Sequence, residues 1–409
     1  MQLLLRMAWR NVWRNKRRSL ITIAAVTFAV MLAVVMRGMQ LGTYEKNIEQ
    51  VVRLSSGYLQ IQRPGYQENP TLRRSFVYSG VLQQILKSEP RISGFSPRIY
   101  ADALLSKRDN SFGAMLVGID PENENLVSDF SKRVRRGRFI MPGLRYEVVV
   151  GEKLLRNLDV DLGDSVVVLT QGFDGFLRDA FCTVVGVVKT GSSELDRAAV
   201  FMPIEAAQDL LGMDGRVSVV AISLHRLSDL QKVKRSLQQM LAPLKLRVLT
   251  WAEVMPSFKQ SIEFDNVGGL LFLAILVVVV AFGILNTMLM AVTERFREFG
   301  VVLALGMPQM KLVVLVLCEI LTILVIGLAA GNLLGGSVNW YILKHPIYMG
   351  KQLEELYAQF GFLPYMWSTV RWQIFVNNSV TILLVALVAS AYPLWKVYRL
   401  EPLKGIRYT

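Results

Sequence analysis

Histidine and cysteine are almost missing from this 409-residue chain, which has only His225, His345, Cys182 and Cys318 of the two types. Two histidines leave little material for a multi-histidine metal site, and no His-Glu-x-x-His occurs. Cys182 falls in a polar stretch and Cys318 in an apolar run, so a structural disulfide between them is not expected. No glycine-rich loop ends in Gly-Lys-Ser/Thr, since Gly350-Lys351 is followed by Gln352. Binding of ATP through a P-loop is thereby excluded. A Gly-x-Ser-x-Gly nucleophile elbow is also lacking. These absences argue for a non-catalytic chain that binds no cofactor or metal of its own. Acid is scarce too: 32 Asp and Glu face 46 Lys and Arg, a net charge of +14. Much of the basic excess sits beside apolar runs, as the positive-inside rule requires, so nucleic acid is not expected as a partner.

What the chain has instead is hydrocarbon. It is 52% hydrophobic and 19% charged, with a mean hydropathy of +0.37. Charge-free runs at 19–36, 267–292, 320–343 and 374–395 each reach the ~18 residues of a membrane-spanning candidate. The expected fold class is an α-helical integral membrane protein with four transmembrane helices and a large α+β extracytoplasmic domain inserted between helices 1 and 2. The corresponding division is a cytoplasmic amphipathic helix over 1–18, spans over 19–41, 264–292, 312–343 and 373–395, the α+β domain over 42–263, a cytoplasmic turn over 293–311, an outer loop over 344–372 and a cytoplasmic tail over 396–409. Arg6, Arg10, Arg14, Lys16, Arg17 and Arg18 come without an acid and place the first segment in the cytoplasm. Leu5, Ala8, Trp9, Val12 and Trp13 recur at helical spacing, which makes 1–18 a surface helix. No small-x-small site closes the first apolar run, so a retained signal anchor is expected rather than a cleaved peptide. The basic tail returns the C-terminus to the same side.

The stretch 42–263 interleaves strand-like and helix-like text without a clean βαβ repeat. Residues 57–63 alternate with period two and stop at Pro64-Gly65. Segments 166–169, 181–188 and 217–224 are further strand candidates. Helices are expected over 79–88 and over 203–212, where proline starts and glycine stops. Ser228-Asp-Leu-Gln231 matches a capping box ahead of Val233, Leu237 and Leu241. Two subdomains are allowed by size, with a seam near 115–145. In the outer loop, 351–360 suits a short surface helix.

The turn after the second apolar run carries Thr293-Glu294-Arg295-Phe296-Arg297-Glu298-Phe299-Gly300 and ends at Gly306-Met307-Pro308. Glu294, Arg295, Arg297 and Glu298 stand at three- and four-residue pairing distances, and Phe296, Phe299 and Val302 form an apolar flank. A solvated connection and a docking element for a soluble partner both fit this pattern. Glu319 is the one acid within an apolar run, a costly position in hydrocarbon. A proton relay would need further intramembrane partners, so an ion pair with Arg295 or Arg297 is preferred. Gly327, Gly331 and Gly335 recur every four residues, which suits close helix packing inside the subunit or between subunits.

Three stretches carry a family resemblance. Asn286-x-Met288 with Thr293-Glu-Arg-x-Arg-Glu-Phe-Gly300 and Ala304-Leu-Gly306, the opening Ala8-Trp-Arg-Asn-Val-Trp-Arg-Asn-Lys-Arg-Arg18, and the ending Tyr392-Pro-Leu-Trp-Lys with Leu400-Glu-Pro-Leu-Lys-Gly-Ile-Arg407 resemble the MacB/FtsX/Lol-type (type VII, mechanotransmission) ABC transporter permeases. The resemblance covers the whole chain. Length, the lack of a fused ATPase and Gly57-Tyr-Leu-Gln-Ile61 make the layout most similar to the lipoprotein-releasing Lol permeases, although 344–372 departs from the usual short connection.

The resemblance implies that Glu294, Arg295, Arg297, Glu298, Gly300 and Gly306 form a coupling helix against a separate ABC ATPase, present in two copies and using ATP and Mg. It implies a second permease subunit, identical or related, a place in the bacterial inner membrane, and contact with membrane lipids. Work outside the membrane would involve a periplasmic lipoprotein, chaperone or adaptor. Met36, Met39, Phe264 and Leu271 are the candidates for lining a substrate between the first two spans. Extraction of lipoproteins or another amphiphile from the outer leaflet is the expected activity. The alternatives are a MacB-like exporter working with a periplasmic adaptor and an FtsX-like regulator of cell-wall hydrolases that transports nothing.

Overall fold

A computed structural model describes residues 2–54, 56–143, 145–359 and 362–400. The expected tail beyond residue 400 and Phe360 of the expected loop helix lie outside the described residues. The chain forms two compact units, one of Met1–Glu45, Ile262–Tyr348 and Tyr365–Thr409, the other of Lys46–Ser261 and Met349–Pro364.

The first unit is mainly helical and holds α1 (Gln2–Arg14), residues 16–45 of α2 (Lys16–Leu54), residues 262–294 of α3 (Pro256–Glu294), α4 (Phe296–Ala304), α5 (Gln309–Lys344) and α6 (Trp372–Tyr398). Among the described residues, α2, α3, α5 and α6 are long and apolar enough to cross a membrane. At 39 residues each, α2 and α3 exceed the ~20 residues that a bilayer core requires. Both therefore run on as polar helix beyond their apolar runs. Gly327, Gly331 and Gly335 are buried and face α2. A Cβ on Gly331 would stand 2.6 Å from Val30 Cβ, and one on Gly327 2.7 Å from Val26 Cγ1. The stripe thus packs two helices of one subunit. Further along the same seam Asn339 donates to the Val34 carbonyl at 2.9 Å and accepts from Ser368 Oγ at 2.9 Å. An amide in an apolar bundle is stable only with such partners.

The second unit is α+β. Its main sheet has ten strands: β1 (Leu59–Gln62), β2 (Ile92–Lys107), β3 (Asn110–Ile119), β4 (Val134–Gly137), β5 (Glu147–Gly151), β6 (Ser165–Gln171), β7 (Leu177–Val188), β8 (Ala199–Pro203), β9 (Val219–Leu224) and β10 (Arg247–Thr250). The order is β10-β1-β9-β2-β3-β8-β5-β7-β4, and β6 pairs with both β2 and β7. That double pairing closes β2, β3, β8, β5, β7 and β6 into a ring. Closure pairs the edges within these six strands, while β10 and β4 stay at the two ends of the sheet order. Alternate residues of these strands, among them Leu105, Leu116, Val148, Val150, Val166, Val168, Cys182, Val184 and Met202, enter one hydrophobic core, as a period of two demands. Residues 115–145, where a seam was expected, run through this sheet by way of β3 and β4. The long 344–372 segment is divided: Ile347–Tyr348 pairs with Tyr365–Met366 in the helical unit, while the helix Lys351–Gln359 belongs to the α+β unit.

Local signals hold in part. Ser79 Oγ accepts from the Leu82 N–H at the start of Gly80–Ser88, and Gly212 ends Ile204–Leu211 at φ +63°. The capping box at Ser228 does not form. A 3-10 turn over Leu227–Asp229 intervenes, and the helix Leu230–Met240 starts without a side-chain cap. A capping box forms instead at Thr250, whose backbone N–H and hydroxyl also both donate to Glu253 Oε2 at 2.8 Å.

Arg98 on β2 and Glu124 on the helix Pro121–Val127 are each 1% exposed. Nη2 meets Oε1 at 2.7 Å and Nε meets Oε2 at 3.1 Å, with Tyr100 Oη a further 3.1 Å from Nη1. Such a two-pronged pair satisfies both charges where water is excluded. Removing one partner strands the other. Glu124→Ala should therefore cost about 3–5 kcal/mol, read from urea unfolding of the full chain in detergent. In the helical unit, Gly331→Leu should abolish monodisperse elution, because Val30 cannot retreat. Gly268→Leu, where a Cβ meets nothing within 4 Å, should elute as wild type.

Candidate functional site

The charged turn folds as α4, a helix of nine residues. Phe296, Phe299, Gly300 and Leu303 are buried, an i, i+3, i+4, i+7 stripe that sets one face against the bundle. Gly306 takes φ +94° and donates its N–H to the Leu303 carbonyl at 3.0 Å. This left-handed conformation ends the helix and is open to glycine without strain.

Two of the four charges, Arg295 and Glu298, pair with each other, at 3.2 Å. Glu298 also accepts two bonds from Arg14 Nη2, at 2.8 and 2.6 Å, and Glu294 pairs with Arg18 at 2.8 Å. The Arg14 guanidinium holds the Glu298 carboxyl below the usual carboxylate range, so the clamp is ionised at neutral pH. Arg295 Nη1 meets Glu319 Oε2 at 2.8 Å, and Asn11 Nδ2 donates to Glu319 Oε1 at 2.6 Å. Both oxygens of Glu319 are thus engaged, one by each neighbouring segment. The Arg295 guanidinium also lies over the Phe299 ring, 4.9 Å from its centroid, within cation–π range.

Arg297 makes no ion pair among the described residues and is exposed, as are Val301 and Leu305, the last by 82%. The helix accordingly presents one guanidinium and two aliphatic side chains on a free face, while its other face is anchored at several points. Asn11, Arg14 and Arg18 were not foreseen as its partners. The signal was available: six cations without an acid in 1–18, and two acids in a turn elsewhere.

Met36 and Met39 lie half-buried on α2, and Phe264 and Leu271 are exposed on α3. The contacts at this place are made by their polar neighbours. Arg37 Nη1 donates to Gln40 Oε1 at 2.6 Å and to Asn266 Oδ1 at 2.7 Å. Gln40 Nε2 reaches Tyr44 Oη at 2.8 Å and the Asp265 carbonyl at 3.0 Å, and the Tyr44 hydroxyl donates to the Asp265 carboxylate. A polar seam therefore joins α2 to α3 between the four expected lining residues. Its members are scattered in sequence on both helices, and no local pattern links them.

Among the described residues no group of three or more His, Cys, Asp or Glu side chains could hold a metal ion.

A model described as "MacB-like periplasmic core domain" matches residues 19–240, more than half of the chain, and one described as "FtsX-like permease C-terminal" matches residues 270–402. The chain is 26% identical to the lipoprotein-releasing system transmembrane protein LolC of Xylella fastidiosa, over 78% of this chain and 79% of that one. It is 21% identical to an ABC transporter permease of Methanocaldococcus jannaschii, over 98% and 96%. It is 22% identical to the macrolide export ATP-binding/permease protein MacB of Bdellovibrio bacteriovorus, over 99% of this chain and 61% of that longer one. With four apolar helices, an α+β unit and matches to both of these models, the chain belongs to the MacB/FtsX/Lol-type permeases of ABC transporters.

Proposed function

We propose that this chain is the permease subunit through which a separate cytoplasmic ATPase drives motion of a periplasmic α+β domain, extracting lipoproteins or another amphiphile from the outer leaflet of a bacterial inner membrane. The observation that carries the reading is the two-faced geometry of α4. A lever must be stiff on the side that transmits force and accessible on the side that receives it. Phe296, Phe299 and Leu303, with the pairs Arg14–Glu298, Arg18–Glu294 and Arg295–Glu319, supply the first property. Arg297, Val301 and Leu305 supply the second. Chain continuity supports transmission. α3 runs unbroken for 39 residues from Pro256 to Glu294, roughly 58 Å at 1.5 Å per residue. It starts just after the short helix Trp251–Val254 that follows β10 and ends at the turn.

In this reading two ATPase copies dock on α4 of two permease subunits, identical or related, and both termini lie in the cytoplasm. Met36, Met39, Phe264 and Leu271 border the path of the acyl chains, and the seam from Arg37 to Asp265 must part for a lipid anchor to enter. The LolC relative supports lipoprotein as cargo.

The combined change Arg297→Ala with Leu305→Glu should cut permease-dependent stimulation of ATP hydrolysis at least tenfold at an unchanged melting temperature. Arg14→Ala and Glu298→Ala should each weaken stimulation by a smaller and similar factor, since either opens the same clamp; wild-type stimulation in both would remove the clamp from the mechanism. For cargo, the permease and its ATPase are reconstituted in liposomes bearing a triacylated lipoprotein. ATP-dependent release is expected, and none for the unacylated form. Release without ATP, or none at all, would overturn the cargo assignment. Capture of a periplasmic adaptor would then point to an exporter, and activation of a hydrolase by the α+β unit to a regulator.

A further inference from the structure

Six cations fall within residues 1–18, and the first acid of the chain is Glu45. They divide by partner. Arg14 and Arg18 are taken by Glu298 and Glu294. Arg6, Arg10, Lys16 and Arg17 are exposed and make no ion pair among the described residues. Arg6 and Arg10 stand one turn apart, about 6 Å along the axis, on the side of α1 opposite Ala8 and Val12. Those two are 0% and 3% exposed and enter the core of the helical unit. Trp9 flanks the arginines, 53% exposed, with its ring 5.8 Å from that of Trp13. A merely solvated cationic face has no use for an exposed indole, whereas the boundary between water and lipid favours one.

Position selects the partner. Only Asn15 separates α1 from α2, and Lys16 and Arg17 directly precede the apolar run at 19–36. They therefore stand within about 5 Å of the hydrocarbon at helical rise, the depth of lipid phosphates. A phospholipid headgroup occupies that depth, while a nucleic acid or an acidic soluble protein stays outside it. The helix is also fixed there: Ser19 Oγ donates to the Val12 carbonyl at 2.6 Å across the joint with α2, and Asn11 donates to Glu319.

We propose that the face of α1 carrying Arg6, Trp9 and Arg10, continued by Lys16 and Arg17, docks on anionic phospholipid headgroups, and that this contact steadies α4 through Arg14. The phosphates neutralise the four free cations while Trp9 enters the interface. Each basic residue beside an anionic surface strengthens attachment about fivefold, a gain that a zwitterionic surface does not offer. α1 is then braced between the bilayer on one side and Glu298 on the other. The docking concerns α1 and the position of α4, and it holds whether or not an ATPase is what α4 receives.

The test uses the full chain without an ATPase, so its failure and a failure of the coupling assignment are separate results. The chain is placed in nanodiscs of phosphatidylcholine, with or without an equal part of phosphatidylglycerol. A nitrobenzoxadiazole fluorophore is attached at Met7→Cys in a Cys318→Ala background, where the remaining Cys182 is buried. Phosphatidylglycerol with a nitroxide at the top of its acyl chain should quench it at least threefold more strongly than phosphatidylcholine labelled alike at the same mole fraction. In 1 M NaCl, where charges are screened beyond about 3 Å, the preference should vanish. It should vanish too in the combined change Arg6→Gln, Arg10→Gln, Lys16→Gln and Arg17→Gln; the salt arm carries the test if that variant does not insert. Amide hydrogen exchange over 296–304 should be at least threefold slower with phosphatidylglycerol than without it, and Arg14→Ala should remove that gain. Equal quenching by the two lipids, a preference that survives 1 M NaCl, or equal exchange over 296–304 would overturn the proposal.

Discussion

A carboxylate placed among apolar helices must find donors or lose its charge, and Glu319 finds two. Arg295 comes from the start of α4 and Asn11 from α1. That single requirement locates the first turn of α4 and brings the amino-terminal helix alongside. Once they are there, Arg14 and Arg18 fall within reach of Glu298 and Glu294. Exposed ion pairs are individually weak. Here several act on one short helix whose apolar stripe is already buried, so they restrict its rotation more than they add to stability. The free side of α4 follows by elimination, since every anchoring group is used on the other.

The two units solve the problem of buried polar groups in different ways. In the helical unit, small residues let α2 and α5 touch, and Asn339 ties the same seam through the Val34 carbonyl and Ser368. In the α+β unit, ring closure pairs the edges of six strands, and Arg98, a fully buried cation, is matched in two places by Glu124.

Legibility in the sequence followed the range of the interaction. The apolar runs were plain because one segment alone decides whether it prefers hydrocarbon. Gly212 and Ser79 were equally local, since a cap is settled within a turn of helix. The long hairpin of β2 and β3 went unseen. Its two-residue connection is Arg108-Asp109, with Arg108 at φ +51°, and offers no glycine or Asn-Gly signal. Ser228 misled for a related reason: a matching spacing says nothing about whether a 3-10 turn will come first.

Charge behaved the same way. The sequence alone determined that the turn after the second span held more charge than a bare connection needs, and that the basic excess of 1–18 lacked local acids. It determined the apolar spans and the absence of a nucleotide loop, because these depend on composition and on spacings of a few residues. Only the tertiary structure decided that Arg14 and Arg18 neutralise Glu298 and Glu294, that Arg295 rather than Arg297 meets Glu319, and that the glycine stripe faces α2. It alone closed the six-stranded ring. Each of these contacts joins residues far apart along the chain, and whether they meet is settled by how whole helices and strands pack.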